Sequence, residues 1–331
     1  MRLLVGNLLA ACGLTVALWA QGNAPQQPAP MPFTYPGPAL PPIDPNDYKL
    51  TSNVEVVLLD ASVKGPDGGF VSDLKKDDFK VLEDGAPQTI SIFNSGDIPV
   101  TLGLVVDNSA SMRAKRPDVV VAALTFVQQS NPKDELFVLN FNDRIRMGLP
   151  KGMDFTDTKG PLREALLGNP VTGRTSLYDG LKVALQHLEK GRQSKKTLIL
   201  VSDGGDNMSQ TTEDEIFNMA RLSKATIYTI GIYDDNDKDK NPGFLKKLAA
   251  ITGGESFLPS DHEGKLVNVC EKIAKDIRTR YTVGYVPENR VLDGKVRKVR
   301  LLATSPEGKK LKVRTRSEYL AGDTKLLSKG H

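Results

Sequence analysis

Three oxygen-bearing side chains stand at alternate positions in "VVDNSASM", Val105 to Met112: Asp107, Ser109 and Ser111. An apolar run ends there without a bulky side chain. Two more such residues lie far along the chain. Thr175 sits in "VTGRTSLYDG", and Asp203 closes the apolar run "TLILVSD". The object these groups would hold is a proton, a phosphate, a metal ion or nothing.

Each chemistry makes its own demand. Nucleophilic serine chemistry needs a base, and the chain has three histidines, His187, His262 and His331. His187 falls off the apolar stripe of its helix pattern, His262 lies in a loop pattern, and His331 is the last residue. There is no G-x-S-x-G nucleophile elbow. A phosphohydrolase working through Asp107 would want a second acid two residues on, where Ser109 stands. Zinc lacks ligands here, because one thiol and scattered histidines make no site. Hydroxyls, carboxylates and water are the donor set of a hard cation such as Mg²⁺.

The elements that must position these groups are legible as alternating patterns. "VTLGLVVD", "ELFVLNFN", "KTLILVSD" and "ATIYTIGIY" read as buried strands. Helical patterns separate or follow them: one beginning near Pro117, then "SLYDGLKVALQHLEK", "TTEDEIFNMARLSK", "PGFLKKLAAIT" and "KLVNVCEKIAKDIRTR". Ser176 with Asp179 and Thr212 with Glu215 have capping-box spacing. Near-continuously apolar strands alternating with amphipathic helices predict an α/β fold, a mostly parallel sheet covered on both faces. In such a sheet ligands sit outside the carboxyl ends of the strands, where Asp107 and Asp203 both fall.

The flanks read as β structure. "VEVVLLDASVK" and "FKVLEDGAPQTISIF" precede the α/β section; "RYTVGYVP", "VRKVRLLATS" and "KKLKVRTRSEY" follow it. Turns are marked by Asp84–Gly85, Asp293–Gly294 and Glu307–Gly308. Neither flank is long enough to bury a stable core alone. The economical arrangement is one β-sandwich built from both ends with the α/β part inserted. The boundaries expected are 50–97 and 281–320 for the sandwich, 98–280 for the α/β part and 321–331 for a tail.

Composition is that of a globular protein: 331 residues, 39% hydrophobic and 25% charged. A net charge of +4 is too balanced to argue for nucleic acid. The basic excess gathers in "GKVRKVRLL" and "GKKLKVRTRSEY", which alternate as solvated strand faces do. Arg2, the apolar run Leu3 to Ala20 and the polar Gln21 fit a secretory signal peptide over residues 1–20. An uncleaved anchor, or a lipoprotein signal at "LAAC", Leu9 to Cys12, are the alternatives. Residues 21–49 are a Pro-rich, extended linker. After cleavage Cys270 is the one cysteine left, a small hydrophobe on a helix pattern.

"DNSAS" resembles the Asp-x-Ser-x-Ser motif of the von Willebrand factor type A (vWA) family, the metal-ion-dependent adhesion site. "TGRTSLYDGL" and "VSDGGDN" supply the distant Thr175 and Asp203 of that pattern. The resemblance covers roughly residues 98–280, and the flanks look like an exported bacterial group of the family. It implies a Rossmann-like sheet and a bound divalent metal, Mg²⁺, with Mn²⁺ or Ca²⁺ as alternatives. Ser109 and Ser111 would bind it directly and Thr175 directly or through water. Asp107 and Asp203 would act often through waters. A carboxylate from a protein partner, an Asp or Glu, would complete the coordination.

The expected protein is therefore a secreted or periplasmic, metal-dependent interaction module, without enzymatic activity, nucleic-acid partner or membrane span in the mature chain. Its alternatives are a structural envelope protein with a stabilising metal, or a metal-assisted hydrolase. Residue by residue, plainer readings stand beside these. Ser109 and Ser111 also suit a strand-to-helix turn, and Thr175 a helix start. Asp206 reads as loop. The acidic stretch Asp234 to Asn241 reads as a solvated loop, without the Gly and terminal Glu of a calcium loop. The mature chain is expected to start at Gln21. N-terminal sequencing of the exported protein checks this, and an intact Met1 or a lipid-modified Cys12 would contradict it.

Overall fold

The computed structural model describes residues 56–233, 239–259 and 265–322. The expected signal peptide, the Pro-rich linker, most of the acidic stretch and the expected tail apart from Ala321 and Gly322 lie outside the described residues.

The central sheet has six strands in the order β10-β9-β8-β5-β6-β7. They are β5 (Val100–Asp107), β6 (Glu135–Phe141), β7 (Ile145–Met147), β8 (Lys195–Ser202), β9 (Ala225–Gly231) and β10 (Ser256–Phe257). All neighbours pair in parallel except β7, which runs antiparallel at the edge. Every residue of β5, β6, β8 and β9 is buried, which explains their continuous apolar runs. Gly103 is required inside β5: a Cβ there would lie 2.3 Å from Cζ of Phe137.

Among the described residues six helices pack around it: α1 (Arg116–Gln129), α2 (Lys159–Leu167), α3 (Leu177–Leu188), α4 (Glu213–Leu222), α5 (Pro242–Thr252) and α6 (Lys265–Arg278). Thr212 and Glu215 form the capping box that their spacing predicts. Ser176 and Asp179 do not. The α3 amide of Asp179 donates to Ser209 Oγ at 3.0 Å. The Asp179 carboxylate instead accepts from the amides of Gln210 and Thr211 at 3.0 and 2.9 Å. A loop distant in sequence outcompetes the local cap. Helix α2 is absent from the helical patterns that the sequence shows, although Leu162, Ala165 and Leu166 share one buried face.

The two chain flanks make two antiparallel sheets. One has the order β13-β1-β11-β4 and the other β14-β12-β2-β3. The strands are β1 (Val57–Lys64), β2 (Phe79–Glu83), β3 (Ala86–Gln88), β4 (Ile90–Asn94), β11 (Tyr281–Tyr285), β12 (Val296–Ala303), β13 (Lys312–Arg314) and β14 (Glu318–Leu320). Each sheet mixes strands from before and after the α/β section, β1 with β11 and β2 with β12. The fold class expected from sequence is thus the one observed. Asp84 and Gly85 take φ of 48° and 91°, the mirror-image hairpin turn that an Asp-Gly pair favours. Between the sheets Phe79 packs on Tyr281, ring centroids 5.0 Å apart.

Arginines tie the sandwich to the α/β layer. Arg280, buried between α6 and β11, donates to Tyr228 Oη at 2.7 Å, to the Gly253 carbonyl at 2.7 Å and to the Asp60 carbonyl at 2.9 Å. Asp276 is its buried ion-pair partner at 3.3 Å and also accepts from Arg314 at 2.6 Å. Truncating a buried, paired cation leaves its partner uncompensated, at a cost of about 3–5 kcal/mol. Arg280→Met should lower unfolding stability in urea by roughly that amount. A loss under about 1 kcal/mol would mean that Arg314 and the Tyr228 hydroxyl, which also donate to Asp276, satisfy it without Arg280.

Candidate metal centre

Strand β5 is flanked by β6 on one side and β8 on the other, and the chain visits them in opposite directions. The carboxyl ends of β5 and β8 therefore meet at the switch point of the sheet. Asp107 is the last residue of β5, and Asp203 follows the last residue of β8. Both are buried, Asp107 completely.

Asp107 is held from both strands. Its Oδ1 accepts from the Ser109 amide at 2.8 Å and its Oδ2 from Ser202 Oγ at 2.8 Å. Asp203 Oδ1 accepts from the Gly205 amide at 2.9 Å. Its Oδ2 accepts from Ser111 Oγ at 2.7 Å, and Ser111 Oγ lies 3.1 Å from Ser109 Oγ. Gly204 permits this loop: its φ is 84°, and a Cβ would lie 2.5 Å from the Asn241 carbonyl.

Thr175 joins through backbone stitching. The Asn207 amide donates to the Thr175 carbonyl at 3.1 Å, and the Thr175 amide donates to Asn207 Oδ1 at 3.0 Å. The same loop meets the β5 end: Ala110 donates to the Gly173 carbonyl at 3.2 Å and Thr172 to the Asn108 carbonyl at 2.9 Å. The loops bearing all five sequence-derived residues are thus linked to one another by hydrogen bonds. Ser202, Asn207 and Asp206 are supporting residues that the motif does not contain. Asp206, read as plain loop, accepts from the Tyr178 amide at the start of α3 at 3.0 Å.

The oxygen spacing can be tested against a hard cation. In an octahedron with metal–oxygen bonds of about 2.1 Å, adjacent oxygens are about 3.0 Å apart. The spacings here are 3.1 Å and 2.7 Å. A hydroxyl that donates its proton to Asp203 keeps lone pairs for an ion. Donor type and spacing therefore fit a hard divalent cation. Among the described residues there is no cluster of three or more His, Cys, Asp or Glu that could hold a metal.

Other candidate groups sit elsewhere. His187 is buried, contrary to its position off the apolar stripe. Its ring lies 4.7 Å from Phe137 and 4.9 Å from Phe155, and Nε2 bonds the Asp154 carbonyl at 2.8 Å. Cys270 is buried in the core, and burial pushes its thiol up to about 12, away from reactivity.

Residues 102–205 match the family model of the von Willebrand factor type A domain, and the α/β section of the chain is a domain of this type. The uncharacterized protein sll0103 of Synechocystis is 25% identical over 171 residues, which is 50% of this chain and 39% of that protein. The chain thus spans well under half the length of that relative. Among solved structures, a von Willebrand factor type A protein from Catenulispora acidiphila is 14% identical with a TM-score of 0.48, covering 85% of this chain and 77% of its own. Proximal thread matrix protein 1 from the mussel byssus, with a zinc-occupied MIDAS motif, is 14% identical with a TM-score of 0.46. It covers 55% of this chain and 48% of its own.

Burial, and then the charge of Asp203, push the Asp107 carboxyl up to about 7 against the hydrogen bonds of Ser109 and Ser202. A raised acid pKa means the folded chain holds a proton that the unfolded chain has released. Its stabilising contribution is full below about pH 4 and is lost as pH rises towards 7. In chelator, thermal stability should fall across that window more steeply in the wild type than in Asp107→Asn. Parallel pH profiles for the two would contradict this.

Proposed function

We propose that the chain is a divalent-metal-dependent protein-binding module, not an enzyme. The observation that carries this reading is the convergence of Ser109 Oγ and Ser111 Oγ, 3.1 Å apart, with Asp203 Oδ2 2.7 Å from Ser111 Oγ, beside the buried Asp107. Ser109 and Ser111 would ligate the ion directly. Thr175 would approach from its own loop, and Asp107 and Asp203 would supply charge, in part through water.

A bound ion would supply Lewis acidity towards one outward ligand. A neutral hydroxyl set leaves that acidity largely unspent, so a partner's Asp or Glu can displace a water and form a charge-assisted bond. Ser111 is exposed while Ser109, Thr175 and Asp203 are buried, which gives the site one open side. General acid–base chemistry finds little support here. The sole histidine among the described residues, His187, is enclosed by aromatic rings and bonded to a backbone carbonyl. The relevant compartment is outside the cytoplasm, on the strength of the leader-like residues 1–20; no helix among the described residues is long and apolar enough to cross a membrane.

A pull-down from envelope extract, followed by calorimetry with the recovered partner, tests the reading. Binding should require Mg²⁺ or Mn²⁺, disappear in chelator and in Asp203→Ala, and disappear when one partner acid is changed to its amide. Near-ultraviolet circular dichroism of Asp203→Ala should stay native, because the sheet core is apolar. Equal affinity with and without metal would remove the metal from the function.

A further inference from the structure

A second charged feature lies in the sandwich, built from residues the metal centre does not use. Strand β12 buries alternate residues and turns Lys298, Arg300 and Leu302 outward. After the hairpin closed by the Thr304–Lys310 bridge, β13 leaves β12 and pairs with β1 in the other sheet, Lys312 opposite Lys64. The divergence opens a cleft of about 730 Å³. Lys80, opposite Leu302 on β2, Arg300, Lys310 and Lys312 line it, over a floor that includes Leu301 and Val313.

We propose that this cleft binds a linear anionic polymer, one carrying repeated phosphate groups. Four cations line one concavity, and no carboxylate lines it. None of the four has an ion-pair partner among the described residues. Converging unpaired cations raise the local potential and concentrate a polyanion. The volume is that of a ligand cleft. A concave site suits a flexible chain, whereas a flat basic face would suit a lipid surface. No aromatic side chain lines the cleft, so it lacks the stacking platform that single-stranded nucleic acid uses. Three of the four are lysines, point charges that follow a polymer's changing contacts better than a guanidinium fork does. The alternating sequence pattern alone shows only solvated strand faces; the splayed hairpin brings them around a common space.

The test is fluorescence anisotropy of end-labelled linear polyphosphate with the whole protein, in chelator so that metal-mediated contact is absent. Binding should be saturable and weaken steeply as salt rises. The variant Lys80→Glu/Arg300→Glu/Lys312→Glu should bind about tenfold or more weakly. A charge-matched variant in the α/β layer, Lys151→Glu/Lys159→Glu/Lys246→Glu, should lose no more than about threefold. Asp203→Ala should bind as the wild type does, which separates this site from the metal centre. Should the glutamate variant not fold, glutamines at the same three positions provide the comparison. Equal losses in the two charge-matched variants would overturn the proposal, as would the absence of saturable binding. Adsorption to phosphatidylglycerol vesicles that polyphosphate does not displace would overturn it in favour of a lipid surface.

Discussion

The structure depends on a carboxylate with no water to solvate it. Asp107 is fully buried at the end of the central strand, and the neighbouring strand delivers Asp203 beside it. Two like charges at adjacent strand ends repel, and burial removes the solvent that would screen them. Hydrogen bonds from Ser109 and Ser202 offset part of this penalty. A cation would offset much more. The hydroxyls of Ser109 and Ser111 and the loop of Thr175 are arranged around this place, and the parallel sheet holds its two acids in fixed relation through seven paired positions between β5 and β8.

The placement of these acids was legible because it depends on the shortest-range rules. Apolar runs of strand length ending in an acid identify the ends of β5 and β8, and parallel sheets expose those ends at one edge. The family resemblance then joined Thr175 to the set. What escaped was decided by contacts distant in sequence. Ser202, which bonds Asp107, looks like one more residue in an apolar run. Asn207 holds the Thr175 loop from both its carbonyl and its amide, and no spacing rule announces such a pairing. Asp179 has the position of a capping acid, yet the amides of Gln210 and Thr211 capture it. His187 misleads for a related reason: Phe155, contributed by a loop, covers a helix face that a single-helix pattern leaves open. Helix α2 is short and carries two weak helix residues, Gly160 and Pro161, near its start, which dilutes its period.

The chain ends obey a different constraint. Each flank is too short to enclose a core, and both sheets combine strands from the two flanks, alternating in β13-β1-β11-β4 and side by side as pairs in β14-β12-β2-β3. The α/β part therefore enters and leaves through one structure, and Arg280, Arg314 and Arg316 fasten the junction; Arg316 donates to the Ser223 carbonyl at 2.7 Å. The same economy sends β13 across to β1 and opens the basic cleft. A surface of one charge sign and a site of the opposite sign thus arise on separate parts of the fold, each from how strands end or diverge.

The most direct test of the metal centre is anomalous diffraction from crystals grown with Mn²⁺. The account predicts a single strong peak at coordinating distance, about 2.2 Å, from the hydroxyls of both Ser109 and Ser111, with Asp203 beside it. A peak elsewhere, or none while these loops keep the geometry described, would contradict it and leave Asp107, Ser109 and Ser111 as a hydrogen-bonded turn.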